Sequence, residues 1–101
     1  MRNETGRNGF ASHIRQRIEC EYEGCLVIHL DPNDVHQGIP DFLILYRNRW
    51  AMLEVKKSRT AKRQPNQQYW VDYYDQMSFA AVIYPENEEL IFDAMEHTLK
   101  S

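Results

Sequence analysis

The sequence has few of the residues and segments that mark a zinc-binding, secreted or membrane protein. Its two cysteines, Cys20 and Cys25, do not have the spacing of a zinc site, and we expect both to be reduced, small core residues. No apolar run approaches the roughly 18 residues of a membrane span. The N-terminus, Met1-Arg2-Asn3-Glu4, has no apolar signal core. We therefore expect a cytoplasmic protein with no membrane partner.

Positive charge is also scarce overall, because 12 lysines and arginines are set against 15 acidic residues and the formal net charge is −3. The charges are unevenly distributed, however. Five of the eight residues from Lys56 to Arg63 are basic, and the acids collect beyond residue 85. A protein that is acidic overall can still carry one basic surface, so a nucleic-acid partner remains possible.

The length of 101 residues suits one domain with one core, and a hydrophobic content of 43% argues against disorder. We predict a single domain over residues 1–101. Residues 1–9 are interpreted as a loose lead-in, and a helix follows from Phe10 to about Tyr22, where apolar residues recur every four positions. The other predicted elements are strands at 25–30, 42–46, 50–56 and 78–84, a helix from Pro65 and a helix after Asn87.

This element order, αβββαβα, predicts an α/β or α+β fold in which helices pack against a sheet. The second and third strands are almost continuously apolar, so we expect both of their faces to be covered. A turn within residues 47–49 joins them into an antiparallel hairpin, with Asn48 suited to a positive φ.

The hairpin brings three polar residues to one edge of the sheet. A two-residue turn at 47–48 pairs Asp41 with Glu54, whereas a turn at 48–49 pairs Asp41 with Lys56. Alternation along the third strand places Glu54 and Lys56 on the same face. Either register therefore places all three side chains at one edge.

Two carboxylates at a common edge favour a divalent cation between them. Mg²⁺ takes oxygen ligands, so Asp41 and Glu54 would bind it, with the Val55 carbonyl as a third ligand. Such a cation lowers the pKa of a bound water and stabilises charge on a phosphate. Lys56 would orient the attacking water and offset charge in the transition state. By spacing alone, a solvated strand end with no chemistry fits these residues equally well.

Three motifs resemble the PD-(D/E)XK nuclease superfamily, in particular its compact VRR-NUC-like and phage-type branch. They are Gly38-Ile39-Pro40-Asp41, Glu54-Val55-Lys56-Lys57 and Gln67 near the start of a helix. The resemblance covers about residues 5–85. It implies a restriction-endonuclease-like core, a mixed four-stranded sheet flanked by helices, and phosphodiester hydrolysis that depends on Mg²⁺ or Mn²⁺.

The resemblance also implies roles for individual residues. Asp41 and Glu54 become metal ligands, Lys56 the catalytic lysine and Gln67 the family's glutamine near the site. Many such nucleases add an acid from the first helix, and here the sequence departs from the pattern. Two acids are available for that role, and the preferred one is Glu4, with Glu19 read as a solvated helix residue.

The basic run lies directly after these motifs, so we expect it to contact phosphate. The contacts assigned to nucleic acid are Lys57, Arg59, Lys62, Arg63 and, from the loop before Gly38, His36, for which a bystander role is also open. The aromatic residues of the second helix are interpreted as core side chains and not as base-stacking platforms; they are Tyr69, Trp70, Tyr73 and Tyr74.

We therefore expect a metal-dependent endonuclease acting on DNA, with branched or junction DNA as its candidate substrate, in the cytoplasm of a bacterial or viral host. Resemblance and small size together imply a homodimer with two sites. The competing interpretation is a non-catalytic nucleic-acid-binding module that retains the nuclease fold. A regulatory or structural protein is a third, which leaves the polar edge unexplained.

Overall fold

A computed structural model of the chain describes residues 6–101. Its elements are α1 (Gly6–Glu21), β1 (Leu26–His29), β2 (Phe42–Tyr46), β3 (Arg49–Val55), α2 (Pro65–Met77), β4 (Ala80–Ile83), a 3₁₀ turn (Pro85–Asn87) and α3 (Glu88–Leu99). This order confirms the predicted αβββαβα arrangement. The expected lead-in is wrong for residues 6–9, because α1 begins at Gly6 and already buries Gly9.

The four strands form one mixed sheet in the order β1-β2-β3-β4. The β1–β2 and β2–β3 pairs are antiparallel, and β3 and β4 are parallel. A parallel pair requires a crossover connection, and α2 supplies it between β3 and β4. The mixed α+β architecture expected from the sequence is thereby confirmed.

The β2–β3 turn settles which hairpin register the chain adopts. Tyr46 pairs with Arg49, so the turn is at 47–48 and the alternative turn at 48–49 is wrong. Arg47 has a φ of 58°, and this residue, not Asn48, is the one with a left-handed backbone. A left-handed residue lets a two-residue turn match the twist of its two strands.

The two faces of the sheet are covered unequally. One face forms the main core with α1 and α3, in which Ile14, Ile44, Leu53 and Met95 are buried. On the other face, α2 packs mainly against β3 and β4. The expectation that both faces are covered is confirmed for β3 but wrong for Leu45 of β2, which is exposed; Leu43, on the same face, is half-buried.

Ion pairs link α1 to α3. The Arg17 guanidinium contacts Glu88 and Glu89 at 2.8 Å and lies 3.9 Å from the centre of the Phe92 ring. The two acids stand at the start of α3, where negative charge is favoured by the helix dipole. Asn87 precedes the helix as predicted, but its side-chain oxygen accepts from the Tyr84 N–H instead of capping α3.

Two further features of the described chain bear on the expectations from composition. Cys20 and Cys25 are free thiols, but Cys20 is exposed, so the expected core position is wrong for it. It follows the buried Ile18 by two residues, which places it on the opposite side of α1. From residue 6 onward, no helix is both long and apolar enough to cross a membrane.

Candidate active site

The ends of β2 and β3 place Asp41 and Glu54 side by side. The observed register, extended by one residue beyond the Phe42–Leu53 pair, brings Asp41 opposite Glu54. The Asp41 carboxylate accepts from the Val55 N–H through Oδ2 at 2.8 Å, and its carbonyl accepts from the Leu30 N–H at 2.8 Å. The aspartate is therefore fixed to both neighbouring strands.

Glu54 is a buried carboxylate, with 1% of its surface exposed. Burial, reinforced by the negative charge of Asp41, raises the pKa of Glu54 to about 7, although Lys56 and Arg7 act in the opposite direction. Its Oε1 atom is buried and finds no hydrogen-bond partner among residues 6–101. An unpartnered buried carboxylate oxygen is costly, so this atom calls for a cation or a polar ligand.

Lys56 and Gln67 complete a triangle with Glu54. The Lys56 ammonium donates to Gln67 Oε1 at 2.9 Å and lies 3.3 Å from Glu54 Oε2. Gln67 Nε2 donates to the same Glu54 oxygen at 3.0 Å. Gln67 Oε1 also accepts from the Gln64 N–H at 3.2 Å. The Gln67 amide therefore bonds both to the residue that precedes α2 and to the two charged groups, Lys56 and Glu54.

Arg7 is a site residue that the sequence motifs did not indicate. Its guanidinium forms an ion pair with Asp41 Oδ1 and donates through Nε to the Val55 carbonyl at 3.2 Å. In the sequence, Arg7 is only one of several arginines in the N-terminal portion of the chain, and no motif singles it out. The sequence distances to Asp41 and Val55, 34 and 48 residues, explain why no local pattern reveals the contact.

Gly38 brings the loop before Asp41 close to the start of α2. It has a φ of +89°, and a Cβ at this position would lie 2.9 Å from both the Asn66 carbonyl oxygen and the Trp70 ring. Only glycine tolerates both the left-handed backbone and the close approach. The glycine of the Gly38-Ile39-Pro40-Asp41 motif therefore fixes the spacing between the Asp41 loop and the helix that carries Gln67.

Most of the residues predicted to contact nucleic acid follow Lys56 along the chain. The four cations that follow Lys56 in the basic run have exposed side chains, and within the described residues none of these charged groups pairs with a carboxylate; they are Lys57, Arg59, Lys62 and Arg63. His36 is placed elsewhere, with Nε2 2.7 Å from the Tyr74 hydroxyl and its ring 3.9 Å from that of Trp70. Its side-chain hydrogen bonds within residues 6–101 are to Tyr74 and to the Gln37 carbonyl, not to the charged cluster.

The remaining expectations have mixed outcomes. Glu4 lies outside the described residues. Glu19 is exposed and pairs with Arg15 at 3.4 Å, consistent with a solvated helix residue. The interpretation of the α2 aromatics as core is wrong for Tyr69 and Tyr73, which are exposed because they lie on the side of α2 away from the sheet.

The residues present fit a divalent cation. No group of three or more His, Cys, Asp or Glu residues that could hold a metal occurs between residues 6 and 101. The donor set is instead two carboxylates and one main-chain carbonyl, which suits a hard cation that keeps several waters. The guanidinium of Arg7 touches Asp41 and Val55 at once, so both oxygens face one cationic group, and Glu54 Oε1 still lacks a partner.

Comparisons with known proteins establish the fold. A solved structure described as a VRR_NUC domain matches 85% of this chain and 94% of its own chain, with a TM-score of 0.60 and 22% identity. No family model matches the sequence, and neither does any curated protein. The chain therefore has the fold of that VRR_NUC domain, which confirms the resemblance at the level of the fold.

Proposed function

We propose that this chain is a metal-dependent DNA endonuclease that hydrolyses phosphodiester bonds, built as a single nuclease domain. The observation that carries the proposal is Glu54, a buried carboxylate whose Oε1 has no partner, opposite Asp41 and in contact with a lysine. A merely structural strand end would expose such an acid to water or satisfy both of its oxygens.

The proposed ligands for Mg²⁺ or Mn²⁺ are Asp41, Glu54 and the Val55 carbonyl. When bound, the cation supplies a more acidic water and stabilisation of charge on the phosphate. Lys56, held by Gln67 and Glu54, orients the attacking water and offsets negative charge in the transition state. Gln67 acts on both charged groups and is a positioning residue.

We propose that the basic run holds the DNA backbone next to this site. It follows Lys56 directly along the chain and its four cations are exposed without acidic partners in the described structure, so they are available to phosphates. Cleavage of branched or junction DNA is the proposed selectivity, since a chain of this size can enclose little of a straight duplex.

The deciding experiment is cleavage of supercoiled plasmid and of a four-way DNA junction with Mg²⁺, Mn²⁺ or EDTA. We expect metal-dependent nicking that Asp41→Asn and Lys56→Ala abolish. Matched controls are Asp93→Asn and Lys100→Ala, which alter exposed residues of α3 and its end and should retain activity. Circular dichroism checks that each variant is folded.

Cleavage that survives in EDTA or in Lys56→Ala would overturn the proposal. Binding of the junction without any cleavage would favour the non-catalytic module. The preference for branched substrates is tested separately, by comparing cleavage rates on the junction and on a linear duplex of the same sequence. Equal rates would remove the proposed selectivity and leave the nuclease activity intact.

We further propose that two copies assemble, so that two sites can cut two strands. The support is an apolar groove between the sheet and α2, at which Leu45 of β2 and Met77 of α2 are exposed; its lining residues are Leu43, Leu45, Trp50, Met52, Tyr74 and Met77. Exposed apolar surfaces of this kind often mark protein interfaces. Analytical ultracentrifugation at micromolar concentration should show a dimer that Leu45→Glu disrupts, and a monomer in the unaltered chain would contradict this assembly.

A further inference from the structure

The cationic group of Arg7 lies on two of the oxygens assigned above to the metal. It pairs with Asp41 Oδ1 and donates to the Val55 carbonyl at 3.2 Å. Asp41 Oδ2 accepts the Val55 N–H at 2.8 Å. Arg7 therefore holds the carboxylate oxygen that accepts no main-chain hydrogen bond.

A guanidinium and a divalent cation repel each other strongly at the short distances of a shared oxygen. Arg7 also cannot be neutralised by deprotonation, since arginine keeps its charge under ordinary conditions. A metal that binds Asp41 Oδ1 and the Val55 carbonyl must consequently move the Arg7 side chain away.

An open cleft lies beside Arg7 and can accommodate its displaced side chain. The Arg7 side chain is 42% exposed, so it is not locked in by packing. A cleft of about 300 Å³ opens beside it between α1 and the sheet, lined by Arg7, Asn8, Arg15, His29 and Asp41. The planar fork of a guanidinium matches the oxygens of a phosphate, so a released arginine at this edge is suited to bind one.

We propose that the Arg7 guanidinium and the divalent cation compete for Asp41 Oδ1 and the Val55 carbonyl. When the cation occupies these oxygens, Arg7 is free to bind the substrate phosphate. This inference rests on the proposed function. It assigns Arg7 two alternative partners, the carboxylate in the metal-free chain and the DNA backbone in the metal-bound chain.

The first test measures binding of Mn²⁺ by isothermal titration calorimetry without DNA. Removing the competing cation in Arg7→Gln should tighten Mn²⁺ binding about fivefold or more, the effect of a partly exposed ion pair. Arg49→Gln is the matched control, because Arg49 is an exposed arginine at the opposite end of β3 from Val55 and its guanidinium donates to the Thr98 carbonyl. Its affinity for Mn²⁺ should be that of the unaltered chain.

The outcomes separate this inference from the proposed function. If the unaltered chain binds Mn²⁺ and Asp41→Asn does not, the proposed metal site is supported. Equal Mn²⁺ affinity in Arg7→Gln would then overturn the competition by Arg7 alone. If neither the unaltered chain nor Arg7→Gln binds Mn²⁺, the proposed function and the proposed competition by Arg7 both fail. Thermal unfolding of each variant confirms that the chain is folded.

The second test asks whether the released arginine reaches phosphate. Binding of a four-way DNA junction is followed by fluorescence anisotropy in Ca²⁺, taken as a cation that supports binding without rapid cleavage, and in EDTA. Arg7→Gln should weaken binding about fivefold in Ca²⁺ and leave it nearly unchanged in EDTA. An equal loss under both conditions would make Arg7 a constant phosphate contact and overturn the competition.

Discussion

Gln67 donates its side-chain N–H to Glu54 over 3.0 Å, which joins the first turn of α2 to the end of β3. The oxygen of the same amide accepts from Lys56, so the positions of both charged groups depend on where α2 begins. The start of that helix is set in turn by its contact with Gly38. Helix α2 thus positions both charged groups, Lys56 and Glu54, although neither residue belongs to that helix.

Removal of the Gln67 amide is expected to slow catalysis without weakening substrate binding. In Gln67→Ala, Lys56 and Glu54 lose a shared partner, so we expect kcat for DNA cleavage to fall about ten- to hundredfold with KM nearly unchanged. Steady-state kinetics on the junction substrate measure both. Gln68→Ala is the control, since Gln68 is the exposed neighbour; an equal fall in its kcat would show that α2 responds as a whole.

The pH dependence of stability is expected to reflect Glu54. Its pKa rises from 4.5 to about 7 on folding, chiefly because of burial. Folding therefore takes up a proton in this range, and the contribution of Glu54 to the free energy of unfolding is fully present below 4.5, falls as pH rises and is lost above about 7. The full change is about 3 kcal/mol.

Urea unfolding in EDTA at pH about 5 and about 8 measures this change. Glu54→Gln replaces the carboxylate with a neutral group of similar shape and should flatten the dependence. A Glu54→Gln variant that keeps the full pH slope would show that other groups cause it.

Gly38 is expected to be intolerant of any side chain. In Gly38→Ala, the left-handed backbone and the contact with Asn66 together should lower the free energy of unfolding by about 3 kcal/mol. Gly24→Ala separates the two effects, since Gly24 has a φ of +85° but no atom within 4 Å of the added Cβ. Its cost should be about 1 kcal/mol, measured by urea unfolding; equal costs would mean that the close approach is unimportant.

The basic run is expected to bind DNA through charge alone. In Lys57→Ala with Lys62→Ala, the slope of log affinity against log salt should become shallower by about two for duplex DNA, one for each lost phosphate contact. Fluorescence anisotropy over a salt series measures the slope. Lys100→Ala, at the end of α3, should leave it unchanged, and an unchanged slope in the double variant would remove these lysines from the interface.

Much of the fold could be predicted from the sequence because it depends on local patterns. Apolar periodicity and turn residues give the element order and the bounds of β2 and α2 closely. Strand alternation brings Asp41, Glu54 and Lys56 to one edge in either register. The turn itself could not be chosen in advance, since Arg47 and not Asn48 takes the positive φ.

The contacts of the site depend on tertiary structure, because they join residues that are far apart in the chain. Glu54 is buried where β3 pairs with β4 and where Gln67 of α2 contacts it, and its Oε1 is left unpartnered within residues 6–101. The contact of Arg7 with Asp41 spans 34 residues and follows from where α1 lies against the sheet. The sequence by itself determined which groups meet at one edge, and the packing of two helices decided which of them are buried, paired or held by a competing charge.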